Sequence, residues 1–130
     1  MVCLDTDILV GMTRKDKDAV AALEKLVKNN SPISTTPISL TELYVGAYKS
    51  GNEAKMRKVE EIEENVLMLE YDFNAAKEAG RITNELNKTG SKIGEFDTLI
   101  GAIVLRHGET LITRNTKHFS KIRGLKVEKW

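Results

Sequence analysis

Near its C-terminal end the chain reads Asp97-Thr98-Leu99-Ile100-Gly101-Ala102-Ile103-Val104-Leu105-Arg106-His107-Gly108-Glu109-Thr110-Leu111-Ile112-Thr113. The apolar run up to Leu105 predicts a buried helix that starts at Asp97 and stops at Gly108, because glycine readily adopts the left-handed conformation that ends a helix. The run from Thr110 to Thr113 predicts a strand that is buried on both faces. A helix followed directly by such a strand is typical of an α/β fold with a parallel sheet.

Strand and helix patterns continue through the rest of the chain. Short apolar runs predict further strands at residues 2–4, around Ile33, at 66–69 and at 125–127. Apolar residues at helical spacing predict helices at residues 16–29, 40–49, 54–64 and 75–86. We therefore expect one domain, residues 1–130, in which helices cover both sides of a mainly parallel sheet.

The charge and aromatic content of the chain limit its function class. It has 20 basic and 19 acidic residues, a net charge of +1, and only 5% aromatic residues. Proteins that coat nucleic acid non-specifically are more basic, and stacking platforms for single-stranded bases need more aromatic residues. Neither class is indicated, although a local basic rim remains compatible with the composition.

The single cysteine and the apolar stretches bear on the cellular compartment. Cys3 excludes an intramolecular disulfide, and its place inside a predicted strand indicates a small buried residue. No apolar stretch is long enough to span a bilayer, and no basic-then-apolar leader is visible. We therefore expect a cytoplasmic protein.

Three acidic residues stand where elements expected to be buried begin or end. Asp5 follows the strand at 2–4, Glu42 lies in the apolar pattern of the helix at 40–49, and Asp97 opens the helix quoted above. Buried carboxylates are rarely left without a hydrogen-bonding, ionic or metal partner. Ligands of parallel sheets bind beyond the carboxyl ends of the strands, so we predict that the three carboxylates meet there and bind a cation.

Each of these acids also has a purely structural interpretation. Asp5 is suited to cap a helix that begins at Thr6, and Asp97 suits a first helical turn, where the helix dipole favours negative charge. Ser39 and Glu42 have the spacing of a capping box. The structural interpretation is favoured for each residue alone, whereas the functional one is favoured for the three together, because the topology brings them to one edge.

Carboxylate oxygens are the main ligands available at the predicted site. They suit hard cations such as Mg²⁺ or Mn²⁺, and zinc is not indicated because the chain has two histidines and no Cys-His cluster. A divalent cation held in this way promotes the attack of water on a phosphate, so the site predicts phosphodiester hydrolysis. Asp7 and Glu95 are candidates for supporting positions, although a solvent-facing Asp7 is favoured. His107 and His118 are assigned no role, His118 being taken as a surface or packing residue.

Four blocks of sequence, in this order and spacing, resemble the PIN-domain ribonucleases and, among them, the VapC-type toxins of prokaryotic toxin–antitoxin pairs. The blocks are Val2–Thr6, Ser39–Ala47, Ile93–Ala102 and Thr113–Phe119. The resemblance implies a PIN-like three-layer α/β/α fold and a metal-dependent endoribonuclease. It also implies a homodimer and a cognate antitoxin as partners.

The resemblance also assigns roles to individual residues. Asp5, Glu42 and Asp97 match the metal-coordinating acids, with Mg²⁺ or Mn²⁺ as the cofactor. The fourth acidic position of the family falls on Asn115, a weaker ligand that adds no charge, so one bound ion or two remain open. The residues that match or adjoin positions orienting substrate or water are Thr6, Thr113 and Arg114.

Basic residues follow two of the acidic segments and are candidates for contacts with the RNA backbone, since cationic side chains pair with phosphates. These residues are Arg14, Lys15, Arg114 and Lys117. Basic residues elsewhere in the chain are expected to belong to solvated faces.

Two other functions remain open on the sequence. Leu4-Asp5-Thr6-Asp7 is similar to the first motif of haloacid-dehalogenase-like phosphatases, but Leu9 replaces the hydroxyl or valine expected two residues later, and no paired-aspartate motif follows. Hydrolysis of a small phosphomonoester distinguishes this class from a PIN nuclease. The other alternative is an inactive PIN-like scaffold that binds RNA or protein, which only Asn115 favours.

Overall fold

The computed structural model describes residues 1–130 and contains five strands and seven helices. The strands are β1 (Val2–Leu4), β2 (Ile33–Thr35), β3 (Leu67–Met68), β4 (Thr110–Ile112) and β5 (Lys126–Glu128). The helices are α1 (Thr6–Thr13), α2 (Lys17–Lys28), α3 (Pro37–Ser50), α4 (Glu53–Asn65), α5 (Phe73–Lys88), α6 (Glu95–His107) and α7 (Thr116–Phe119). All the predicted strands and helices are present. None of the helices combines the length and apolar character needed to cross a membrane.

The five strands form one all-parallel sheet in the order β3-β2-β1-β4-β5. The central strand β1 pairs with β2 on one side, Val2 opposite Ile33, and with β4 on the other, Leu4 opposite Ile112. The residues that follow β1, β2 and β4 therefore lie side by side at the carboxyl edge of the sheet. This is the edge at which the sequence predicts the site.

Alternate side chains of the strands enter two separate apolar cores. Cys3 and Leu111 belong to a core completed by α5, α6 and α7, whereas Leu4 and Ile112 pack with α1 to α4 on the opposite face. The predicted three-layer α/β/α arrangement is confirmed, and the sheet is its middle layer. Cys3 is buried, as predicted, and its burial raises the pKa of its thiol.

Helix α3 begins one turn earlier than predicted, which changes the interpretation of Glu42. Thr36 is the N-cap, and its hydroxyl oxygen accepts the N–H of Ser39 at 3.0 Å. Pro37 takes the first helical position, where its missing N–H leaves no bond unmade. The predicted capping box of Ser39 and Glu42 is therefore wrong, and Glu42, in the second turn, has no capping role.

Candidate active site

Asp5 stands at the carboxyl end of β1 and is only 5% exposed. Its Oδ1 accepts the N–H of Thr6 at 2.7 Å and so caps α1, while its Oδ2 accepts the hydroxyl of Thr113 at 2.7 Å. Burial raises the pKa of Asp5 to about 7, the negative charges of Asp7 and Asp97 add to the rise, and the two hydrogen bonds oppose it. Asp5 is thus both a helix cap and a buried carboxyl group whose ionisation is unfavourable.

Glu42 reaches the same edge of the sheet from α3. Its Oε1 accepts the hydroxyl of Thr6 at 2.8 Å, and Thr6 is the residue directly after Asp5. This bond ties the second turn of α3 to the end of β1. The structure therefore brings two of the predicted acids to adjacent positions.

A pocket of about 430 Å³ opens beside Glu42. Its lining includes Arg14 and Lys15, which follow α1, and Lys55 and Lys58 of α4. Two of the four residues predicted to contact RNA, Arg14 and Lys15, thus line the same pocket as Glu42. The lysines of α4 were missed, because the charged pattern of that helix is also typical of a purely solvated surface.

Asp97 lies in the first turn of α6 and faces residues that follow β4. Its Oδ2 is 3.2 Å from Nδ2 of Asn115 and 3.1 Å from Nδ1 of His118. Asn115 is therefore next to Asp97. His118 lies in a short helix and is partly exposed, as predicted, but its contact with Asp97 was not predicted, although its spacing of three residues from Asn115 was a signal for a shared helix face.

Asp7 is hydrogen-bonded on both carboxylate oxygens, so the prediction that it faces solvent is wrong. Its Oδ2 accepts the backbone N–H of Arg114 at 2.8 Å and lies 3.2 Å from the Thr113 hydroxyl. Its Oδ1 accepts the indole N–H of Trp130 at 2.9 Å. The C-terminal residue is thereby linked through Asp7 and Thr113 to Asp5.

Three charged residues that the sequence predicted to lie near the site, Arg114, Lys117 and Glu95, are not gathered around the three acids. The guanidinium of Arg114 bonds to Asp18 at 3.0 Å and stacks over the ring of Trp130, 3.6 Å from its centroid. Arg114 must leave these partners before its side chain reaches a substrate. Lys117 and Glu95 are exposed and join no hydrogen bond of the site.

Asp5, Glu42 and Asp97 do not form a preassembled cage. No group of three or more His, Cys, Asp or Glu side chains is arranged to hold a metal ion. Glu42 instead bonds Thr6, and Asp97 contacts Asn115 and His118. The chemistry of the donors, mostly carboxylate and amide oxygens, nevertheless fits a divalent cation. Its positive charge favours the ionised form of Asp5, which burial and, to a smaller extent, the charges of Asp7 and Asp97 disfavour.

Comparison with known proteins extends this description to the whole chain. The PIN domain model matches residues 2–125. A protein from Shigella flexneri named tRNA(fMet)-specific endonuclease VapC is 33% identical over 128 residues, which are 98% of this chain and 96% of the relative. The similarity therefore covers far more than the motifs around the acids.

Solved structures give the same result for the fold. VapBC2 from Rickettsia felis, bound to a DNA fragment from its promoter, matches with a TM-score of 0.91 and 29% identity over 100% of this chain and 99% of that chain. VapBC-1 from nontypeable Haemophilus influenzae matches with a TM-score of 0.87 and 31% identity over 100% and 98% of the two chains.

Proposed function

Because this chain belongs to the PIN-domain ribonucleases of the VapC type, we propose that Asp5, Glu42 and Asp97 form its catalytic centre. The chain is an endoribonuclease and the toxin of a VapBC toxin–antitoxin pair. The observation that carries the assignment of the centre is Asp5, a buried carboxylate at the end of the central strand that forms no ion pair. Membership of the PIN family also argues against the alternative that the chain is a haloacid-dehalogenase-like phosphatase.

Ribonucleases of this family generally depend on divalent metal ions. We assign the ion to Asp5, Glu42 and Asp97, with Asn115 as a weaker ligand, and expect Mg²⁺ or Mn²⁺ because most of the donors are oxygen atoms. Such a cation supplies charge neutralisation at a scissile phosphate and lowers the pKa of water.

The hydroxyls of Thr6 and Thr113 hold two of the carboxylates in position. Thr6 donates to Glu42 and Thr113 donates to Asp5, so each fixes the orientation of an acid. We assign them this positioning role ahead of direct contact with substrate. Asp5 binds a cation only when it is ionised, so with its pKa near 7 we expect metal occupancy to rise with pH towards neutrality.

We assign the RNA backbone contact nearest the acids to the basic pocket beside Glu42. Four positively charged side chains line one opening, those of Arg14, Lys15, Lys55 and Lys58. The negatively charged phosphates of a bound RNA strand are attracted to them. Lys117 is exposed and available for a further phosphate contact. The partner protein is a cognate antitoxin, as in the VapBC complexes that match this fold, and we expect a homodimer.

Cleavage of labelled tRNA(fMet) by the purified protein tests the proposal. This RNA is the first substrate to try because the Shigella flexneri relative is named for it, and an elongator tRNA serves as the comparison. We expect cleavage with Mn²⁺ or Mg²⁺ that stops with a chelator. Asp97→Asn should lower the rate about a hundredfold or more, because several kcal/mol of charge stabilisation are removed.

Glu95→Gln is the matched control, since Glu95 is an exposed acid in the same first turn of α6. It should leave the rate unchanged. Cleavage that survives the chelator, or that leaves 2′,3′-cyclic ends in place of 5′-phosphate and 3′-hydroxyl ends, contradicts the mechanism. The absence of both cleavage and metal binding favours the inactive scaffold, and Asn115→Asp is then the first variant to make.

A further inference from the structure

Three polar atoms at the edge of the site form a nearly equilateral triangle. Oδ2 of Asp97 is 3.2 Å from Nδ2 of Asn115 and 3.1 Å from Nδ1 of His118, and these two nitrogen atoms are 3.0 Å apart. Asn115 is the N-cap of α7 and His118 lies one turn further along the same helix. Each atom of the triangle is therefore within hydrogen-bond distance of both others.

While Asp97 is a carboxylate, no arrangement of protons makes all three contacts hydrogen bonds at once. A carboxylate only accepts and an amide nitrogen only donates, whereas Nδ1 of a neutral imidazole does one or the other. If Nδ1 of His118 accepts, two acceptors face each other across the contact with Asp97. If it donates, two N–H groups face each other across the contact with Asn115.

Turning over the side-chain amide of Asn115 does not remove this conflict. The exchange places Oδ1 at the position of Nδ2, and such orientations are assigned from hydrogen bonding. The N–H of His118 then serves both oxygen atoms, but the oxygens of Asp97 and Asn115 face each other at 3.2 Å. A cation beside the triangle would remove the conflict, because a carboxylate oxygen, an amide oxygen and a neutral imidazole nitrogen each offer a lone pair to it.

The dimensions of the triangle fit one face of an octahedral site. With metal–ligand bonds of about 2.1 Å, neighbouring ligand atoms of an octahedron stand about 3.0 Å apart. Tetrahedral coordination with bonds of the same length separates them by about 3.4 Å. The observed separations of 3.0 and 3.1 Å are closer to the octahedral value, and the third, 3.2 Å, lies midway between the two values.

We propose that His118 is a ligand of the divalent cation bound at Asp97 and that it makes the site prefer a first-row transition metal ion, represented by Mn²⁺, over Mg²⁺. Magnesium is bound almost entirely through oxygen, whereas an imidazole nitrogen suits transition metals. The inference rests on the proposed function, to which it adds a ligand and a metal preference.

The surroundings of His118 are compatible with this role. The next residue, Phe119, is fully buried in the core shared with α5 and α6, so it anchors the short helix that carries the ring. The side chains of His118 and Asp97 are 45% and 24% exposed, respectively. An ion from solvent therefore reaches donors that the fold already holds together.

Metal binding to the full-length wild-type protein and to His118→Asn tests the proposal. The amide of asparagine places an oxygen where the imidazole had Nδ1, so the variant keeps a ligand but loses the nitrogen. Calorimetric titration with Mn²⁺ and with Mg²⁺ should show that the preference for Mn²⁺ falls about tenfold or more, with Mg²⁺ affinity nearly unchanged. Pulsed electron paramagnetic resonance of bound Mn²⁺ should show coupling to an imidazole nitrogen in the wild type and none in His118→Asn.

His107→Asn is the matched control, because it changes the other histidine of the chain, whose ring contacts the backbone oxygen of Glu70. It should keep both the preference and the nitrogen coupling. The proposal is overturned if the wild type binds Mn²⁺ without nitrogen coupling, or if His118→Asn keeps the wild-type preference for Mn²⁺ over Mg²⁺. Either result counts against it even if the protein cleaves RNA. If nitrogen coupling is observed but no RNA is cleaved, His118 is still a metal ligand, and it is the proposed function that is contradicted.

Discussion

The substitution Asp5→Asn removes the charge of a buried carboxylate and keeps its shape. Burial raises the pKa of Asp5 from 3.8 to about 7. The folded protein therefore retains a proton that the unfolded chain releases between these two values. For a carboxyl group whose pKa is raised on folding, the stability it contributes is present at low pH and is lost as the pH rises through that interval.

The magnitude follows from the size of the pKa shift. Raising the pKa from 3.8 to about 7 destabilises the folded wild type by about 4 kcal/mol at pH 8, because a tenfold change in an equilibrium constant corresponds to about 1.4 kcal/mol. At pH 5 the same treatment gives about 2 kcal/mol, because only part of the interval has been crossed. The stability of Asp5→Asn relative to wild type should therefore increase by about 2–3 kcal/mol between pH 5 and pH 8.

The neighbouring groups accommodate the asparagine. Its carbonyl oxygen takes the place of the oxygen that accepts the N–H of Thr6, and its NH₂ group then faces the hydroxyl of Thr113. That hydroxyl has a second acceptor in Asp7, 3.2 Å away, so it can turn its proton there and accept from the asparagine. Any remaining packing difference is the same at both pH values and cancels in the comparison.

Urea unfolding followed by circular dichroism, in the presence of a chelator, measures this difference. The exposed acid variant Glu24→Gln should show no comparable change between pH 5 and pH 8. A stability difference for Asp5→Asn that is equal at the two pH values, or smaller at pH 8, refutes the reasoning. Mn²⁺ added in place of the chelator should reduce the stability difference at pH 8, because an ion at a hundred times its Kd stabilises the wild type by about 2.7 kcal/mol.

Two further substitutions test packing in the core and the hydrogen bond between Trp130 and Asp7. Gly101→Ala should destabilise the protein by about 1–3 kcal/mol in urea unfolding, because its Cβ would stand 2.3 Å from Cδ1 of Ile122. Gly80→Ala is its control, since no atom lies within 4 Å of the added Cβ, and it should stabilise by about 0.5–1 kcal/mol. Trp130→Phe keeps an aromatic ring but loses the N–H donated to Asp7, so a loss of about 1–3 kcal/mol is expected in the same assay, and an unchanged unfolding midpoint contradicts it.

The strands and the place of Asp5 at the sheet edge were predictable from the sequence because both depend on local patterns. The apolar runs around Cys3 and Leu111 are long enough to mark strands, and each turns polar where the strand ends. Parallel topology then places the next residues at one edge, so Asp5 and Thr113 become neighbours without any further information. The start of α3 was misplaced although Thr36 and Pro37 carried the signal, because Ser39 and Glu42 have the spacing of a second, competing cap motif.

Contacts between distant parts of the chain were not predictable in this way. Asp7 and Trp130 are 123 residues apart, and no periodicity relates a residue of the first helix to the C-terminal residue. The surroundings of Asp7 are decided by the packing of the chain end against α1, which only the structure shows. His118 is an intermediate case, because its spacing from Asn115 predicts a shared helix face but not that this face meets Asp97.

The structural and functional interpretations of the acids coincide for a physical reason. In a parallel sheet the carboxyl end of a strand and the start of the following helix lie at the same edge, and the N–H groups of a helix start favour negative charge. An acid placed there to bind a cation therefore also looks like a cap, and Asp5 is one. A cap alone needs neither the near-complete burial of Asp5 nor the additional negative charges of Asp7 and Asp97, both of which raise its pKa and oppose ionisation. The burial of Asp5 beside two further acids exceeds what capping requires, and this separates the two interpretations.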